Sequence, residues 1–296
     1  MKRAGSNFNE SDWDDFQHST TESISSPEEL LASYKTFESY VNSLPKGELV
    51  KQGWMKSKDD LGSLSSLFFQ LHADKNQVLF RKSKEAKAPI LALWLSKARA
   101  NAELALHLNR VGPFEKLTKE QLRTLAQSSV DVEMVTKVTR FLAEKGVVLV
   151  FLCALPGMKT DGAVFRLASG NPAIAMSLRF ARLDYFWFTL LHELSHIVLH
   201  LGHLNEPICD QLDEDGTEEI EIEANRLAKA SIVDRSAWRS CDARYRPSND
   251  AVVAFAEQIH VHPSLIAGLL RRESKDYSRF SDIVNAIDVR TLLFPS

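Results

Sequence analysis

Apolar residues recur near the i, i+3, i+4 spacing in EELLASYKTFESYVNSL (28–44), LGSLSSLFFQL (61–71) and PILALWLSKARANAELALHL (89–108). That period predicts three helices, each with one face for a core. The basic run RKSKEAK (81–87) parts the last two and reads as a solvated linker. After Gly112-Pro113, LTKEQLRTLAQ and DVEMVTKVTRFLAEKG continue the helical period, the second with Asp131 at its start and Gly146 just past its end. The period then changes. VVLVFLCAL (147–155), GAVFRLA (162–168) and PAIAMSL (172–178) are short β-branched or apolar runs divided by PGMKTD and SGN, which predicts a small antiparallel sheet. Beyond it lie FWFTLLHELSHIVLH, the acidic loop DQLDEDGTEE, the helical run EIEIEANRLAKASIV, and a last helical region with VVAFAEQIHV, PSLIAGLLRRES and FSDIVNAI.

Residues 1–27, rich in Ser, Thr, Asp, Glu and Asn, have no periodic apolar face and are read as a disordered polar tail. The expected organisation is therefore a tail over 1–27, a helical N-terminal region over 28–111, a core of α+β class over 112–236 and a helical C-terminal region over 237–296.

Composition narrows the function classes. Of 296 residues, 25% are charged and 44% hydrophobic, with net charge −3, so there is no general basic field to hold nucleic acid or an anionic membrane. No apolar run approaches the ~20 residues of a spanning helix, and no apolar signal segment follows Lys2 and Arg3. Cys153, Cys209 and Cys241 are odd in number and widely spaced, which argues against a disulfide framework and for a cytoplasmic setting.

The chemistry concentrates in FWFTLLHELSHIVLH (186–200), where three histidines and a glutamate stand in an apolar helix. Ionisable groups are costly to bury without partners. His192 and His196 are four apart, so both imidazoles reach one point from one helical face, which is the H-E-x-x-H spacing of zinc hydrolases. Glu193, next to the first ligand, is the candidate general base. A third ligand is needed. The H-E-x-x-H-x-x-G-x-x-H layout is excluded, because Leu199 and Gly202 occupy its glycine and third-histidine positions. The other layout takes a glutamate from a following helix. In EIEIEANRLAKASIV the apolar stripe Ile220, Ala224, Leu227, Ala228, Ser231 encloses Glu223, with Glu219 and Glu221 toward the sides, so Glu223 is the expected ligand. His200, one turn beyond His196, drifts off the metal axis and is expected to contact a ligand or the substrate. His203, beyond Gly202, suits a helix cap, and His260 and His262 flank Val261 before Pro263.

RLDYFWFTLLHELSHIVLH together with IEANRLAKASIV resembles the ImmA/IrrE family of metallopeptidases, in particular its HigA-like fusions; KQGWM with SSLFFQL, LVFLCALPGMKTDGAVFRL and VAFAEQIHVHPSLIAGLLRRE extend the likeness over roughly residues 45–280. The resemblance implies a zincin-like core of gluzincin type, with the sheet packed on the H-E-x-x-H helix. It also implies zinc on His192, His196 and Glu223, and Glu193 as base. The implied substrate or partner is a separately encoded helix-turn-helix regulator or antitoxin. A non-proteolytic toxin–antitoxin component that keeps a structural zinc site is the alternative.

Two departures shape what carries over. The fusions' helix-turn-helix domain should precede KQGWM, where about fifty mostly polar residues stand; ANAELALHLNRVG echoes its first helix, but Pro113 and LTKEQLR replace the turn and basic recognition helix, so no direct DNA binding is expected. SIVDRS stands where the family has an apolar pair followed by proline, so its cleavage preference does not transfer. An edge strand such as PAIAMSL is the place where an extended substrate would add to the sheet.

Overall fold

The computed structural model describes residues 41–60, 88–204, 207–210 and 219–295, with the separate positions 35, 38, 39, 62 and 63. The tail over 1–27, most of 28–44 and of 61–71, RKSKEAK and most of the acidic loop lie outside the described residues.

Helices α1 (Lys46–Lys51), α2 (Ala88–Leu108), α3 (Lys119–Gln127) and α4 (Met134–Ala143) precede strands β1 (Val148–Phe151), β2 (Gly162–Arg166) and β3 (Pro172–Met176). Then follow α5 (Leu183–His200), β4 (Ile208–Asp210), α6 (Glu219–Ile232), α7 (Arg235–Ser240), α8 (Asn249–Ile259) and α9 (Pro263–Ser274), with shorter helical turns after Tyr277. The class is α+β.

Local chemistry fixes several of the boundaries. Thr118 and Gln121 form a reciprocal capping box at the start of α3, which satisfies two otherwise orphaned amides. His262 caps α9 through Nδ1, which accepts from the Ser264 amide, and Pro263 takes the first helical position, where its missing N–H is no loss. His260 ends α8 in the left-handed region at φ 58°. Both histidines of HVH are thus helix-end residues. Gly146 has φ +74°, and a Cβ there would meet the Phe114 backbone at 2.4 Å, so only glycine lets the chain turn from α4 into β1.

All three expected strands form, and a fourth, β4, joins them in the order β1-β3-β2-β4. The sheet is mixed and not antiparallel throughout. β2 pairs antiparallel with β3 and with β4, but β1 runs parallel to β3, with Val148 opposite Ala173. The reason is the 152–161 connection, which carries the chain past the future place of β3 before the tight β2–β3 turn brings PAIAM back between its neighbours. β3 is therefore central and fully buried, so the expectation that PAIAMSL forms a substrate-accepting edge is corrected. β1 and β4 are the outer strands.

The sheet has a core on each face, as a period of two requires. Leu149, Val164, Ile174 and Met176 point toward α3–α6, α8 and α9. Val148, Val150, Ala163, Phe165, Ala173 and Ala175 point the other way, onto α2 and the residues around α1. ANAELALHL, the stretch that echoes a DNA-binding helix, lies within α2, whose Ala98 and Ala102 are buried in that second core. Among the described residues no helix is long and apolar enough to cross a membrane.

Candidate metal centre

α5 is apolar on nearly every side because it is the central helix: Leu190, Leu191, Leu194 and Ile197 are buried on it, between the sheet and α6. Its start is fixed by Arg182, whose Nε and Nη2 donate to the two oxygens of buried Asp184 at 2.9 and 2.8 Å. In this setting His192, Glu193 and His196 are almost wholly buried.

The two imidazoles meet as their spacing requires. Nε2 of His192 lies 3.0 Å from Nε2 of His196, with the rings at 74° to each other. A carboxylate from α6 completes the cluster, and it is that of Glu221; the expected Glu223 stands beside His200 instead. Glu221 Oε2 lies 3.2 Å from His192 Nε2, and its Oε1 lies 3.6 Å from His196 Nε2. Among the described residues these three are the group whose donor atoms fall within 4.8 Å of one another. A tetrahedral zinc with bonds of ~2.0–2.1 Å sets neighbouring donors roughly 3.3 Å apart, so the donor set fits zinc in both chemistry and spacing.

Glu223 stands off this point because the buried face of α6 is rotated from the stripe read in the sequence. Ile220 is only half-buried, while Ala224, Leu227, Ala228, Ser231 and Ile232 are buried. Glu221 precedes Ala224 and Ala228 by three and seven positions and so shares their face. The Glu223 side chain is 48% exposed and the Glu221 side chain 17%.

Glu223 still joins the network. Its Oε2 lies 3.0 Å from Nε2 of His200, and His200 Nδ1 lies 3.1 Å from Nδ1 of His196. A carboxylate accepts, so His200 donates from Nε2; its Nδ1 then accepts from Nδ1–H of His196, which leaves the Nε2 lone pair of His196 facing His192 and Glu221. Asn225, on the same face as Glu221, does the same for the other histidine: its Oδ1 lies 3.2 Å from His192 Nδ1 and orients Nε2 toward the shared point. Sequence reasoning missed Asn225. The signal was its spacing, one turn beyond Glu221 in EIEANR. His203 stands in the last turn of the helical stretch that follows α5, and its exposed ring stacks on that of His200 with centroids 6.1 Å apart.

Glu193 packs against the sheet. A Cβ built on Gly162, the first residue of β2, would stand 2.0 Å from Glu193 Oε1. The approach to Gly162 is anchored by buried Asp161, which accepts from Nε and Nη2 of Arg179 at 2.9 and 3.0 Å, and whose carbonyl accepts from the Ser177 amide. A cleft of about 450 Å³ runs between α5, α6 and α9, bordered by His192, Asn225, Phe188 and Arg272.

SIVDRS has its own local logic. Ser231 turns its hydroxyl back to the Leu227 carbonyl at 2.9 Å, and Asp234 caps α7 by accepting from the Ala237 amide at 2.9 Å.

No curated protein matches the chain. Residues 144–267 match the family model Peptidase_M78, the IrrE N-terminal-like domain, and this span takes in β1 through the start of α9 with all the residues of the centre. Over that span the chain is similar to the metallopeptidase-like domain of the ImmA/IrrE family.

Proposed function

We propose that this protein is a zinc endopeptidase acting on a regulatory protein, with His192, His196 and Glu221 as its metal ligands. The observation that carries the reading is the triangle of two Nε2 atoms and the Glu221 carboxylate, with edges near those of a tetrahedral centre and with Asn225 and His200 orienting both rings. Zinc held there would polarise a peptide carbonyl and make a water acidic enough to lose its proton near neutral pH.

The rest of the chemistry falls to the chain itself. Glu193, next to His192 on α5, is the general base: its carboxylate takes the proton of the attacking water and returns it to the leaving amine nitrogen as the peptide bond breaks. Burial against Gly162 keeps that carboxylate from swinging away. β4, an outer strand beside β2, is the place where an extended substrate would pair by strand addition. Resemblance to the family makes a separately encoded helix-turn-helix regulator or antitoxin the expected substrate.

One observation favours a second reading. His192, Glu193 and His196 are no more than 1% exposed, as in closed structural sites, which suits a component that binds its partner without cutting it. Co-expression of the neighbouring operon product with wild type and with Glu193→Gln separates the two. The peptidase yields a cleavage fragment that the variant lacks while zinc content stays the same. The binding component gives an intact partner and the same cellular effect with both proteins.

A further inference from the structure

We propose that a pocket between the start of α5 and the middle of α9 binds a small oxyanion, a carboxylate or phosphate group, on the guanidinium of Arg271. Arg271 is 5% exposed. One of its nitrogens, Nη2, donates to the Tyr277 carbonyl, while Nε and Nη1 are buried with no hydrogen-bond partner among the described residues. Leaving charged donors unsatisfied in an interior is among the more expensive arrangements available to a protein, and such groups are normally paired.

The pocket's own acid does not satisfy them. Asp184, the one carboxylate lining it among the described residues, has both oxygens engaged by Arg182. Arg272 lines the pocket as well, so among the described lining residues three guanidiniums stand with one carboxylate, Asp276 adding a second negative charge nearby. Burial first, and then the like charge of Arg182, push the Arg271 guanidinium below its ordinary range, and Asp184, Tyr185 and Asp276 oppose them only in part. Gly268 opens the room: a Cβ there would fall 2.7 Å from Asp184 Oδ2. The cavity, about 30 Å³, admits a group of a few atoms, and Tyr185 and Tyr277 offer further polar edges.

A water would satisfy the donors but not the excess charge; an anion does both. The group has two sources, a free inorganic anion or an acidic side chain presented by a peptide. Phe188 and Arg272 line both this pocket and the cleft beside His192, so a peptide lying in that cleft can reach it. The site requires neither metal nor peptide cleavage, so its test stands apart from the peptidase reading.

The test is calorimetric titration and thermal melting of the full chain at constant ionic strength, with chloride as balance, against inorganic phosphate and, separately, N-acetylglutamate amide. The expected result is a saturable response to at least one probe, weakened at least tenfold by Arg272→Gln, whose side chain is only partly buried, and lost in Arg271→Met. The tighter probe identifies the source. No saturable response to either probe, or an equal response in wild type and both variants, overturns the proposal. An Arg271→Met protein melting far below wild type in the chloride buffer without either probe also counts against it, since the protein alone would then be satisfying the guanidinium.

Discussion

Gly162 gives the Glu193 carboxylate its place: a Cβ at that position of β2 would meet Oε1 at 2.0 Å and Cδ at 2.8 Å. Glu193 has 0% exposure, so its side chain cannot swing out into solvent to avoid the contact. Gly162→Ala therefore displaces the proposed base rather than any ligand. The expected outcome is a destabilisation of ~1–3 kcal/mol, typical of overpacking, with zinc content near wild type and peptide cleavage reduced at least tenfold. Melting, metal analysis and a cleavage assay on one preparation check it. Unchanged cleavage would mean that the carboxylate's position against β2 is irrelevant to activity.

The rotation of α6 makes two adjacent glutamates separable. Protein purified without chelator should hold about one zinc per chain. Glu221→Ala should lose most of it, and so should His196→Ala, because each removes a donor from the triangle. Glu223→Ala acts only through His200 on the orientation of His196, so it should keep the metal with affinity lowered by ~10–100-fold. The reverse ranking in a chelator competition would restore Glu223 as the ligand.

How far the sequence reached depended on how local each determinant was. The four-residue spacing of His192 and His196 is a property of one helix, and the helix formed, so their convergence was legible. Choosing among Glu219, Glu221 and Glu223 required the rotation of α6 about its axis, which is set by packing against α5 and α3. Ile220 looked like core and is half-buried, and that single residue shifted the inferred stripe by about one position. Strand identity was similarly local and strand order was not: nothing within PAIAM says that it will be flanked by both GAVFR and VLVF. The three-residue strand β4 was too short to show a period of two.

Asp234 supplies a pH signature away from the metal. Amides of the α7 start and the Ser236 hydroxyl donate to its carboxylate and hold it down to about 2. The ordinary unfolded value is near 3.9. The folded value lies below it, so this contribution is fully present above about pH 4 and is lost as the pH falls toward 2. Asp234→Ala should cost ~1 kcal/mol at neutral pH through loss of the cap, and the gap between wild type and variant should close in acid. Denaturant melts at pH 7 and at pH 2.5 measure both, and a gap that does not change with pH would place the effect elsewhere.

The helix that precedes the family match closes the sheet. Leu93, Trp94, Leu95, Ala98 and Ala102 of α2 are buried with Val148, Val150, Ala163, Phe165, Ala173 and Ala175 of the strands, and Trp94 Nε1 donates to the Leu152 carbonyl at 3.0 Å. Residues 144–267 alone would thus expose one whole face of β1, β2 and β3, an apolar patch of the kind that drives association. Trp94→Ala should destabilise by ~3–5 kcal/mol while leaving the ligand triangle on the opposite face intact. A fragment beginning at residue 112 should aggregate or melt far below the full chain. Should that fragment instead stay monomeric with the melting temperature of the whole, α2 would be an accessory on the sheet and not part of its core.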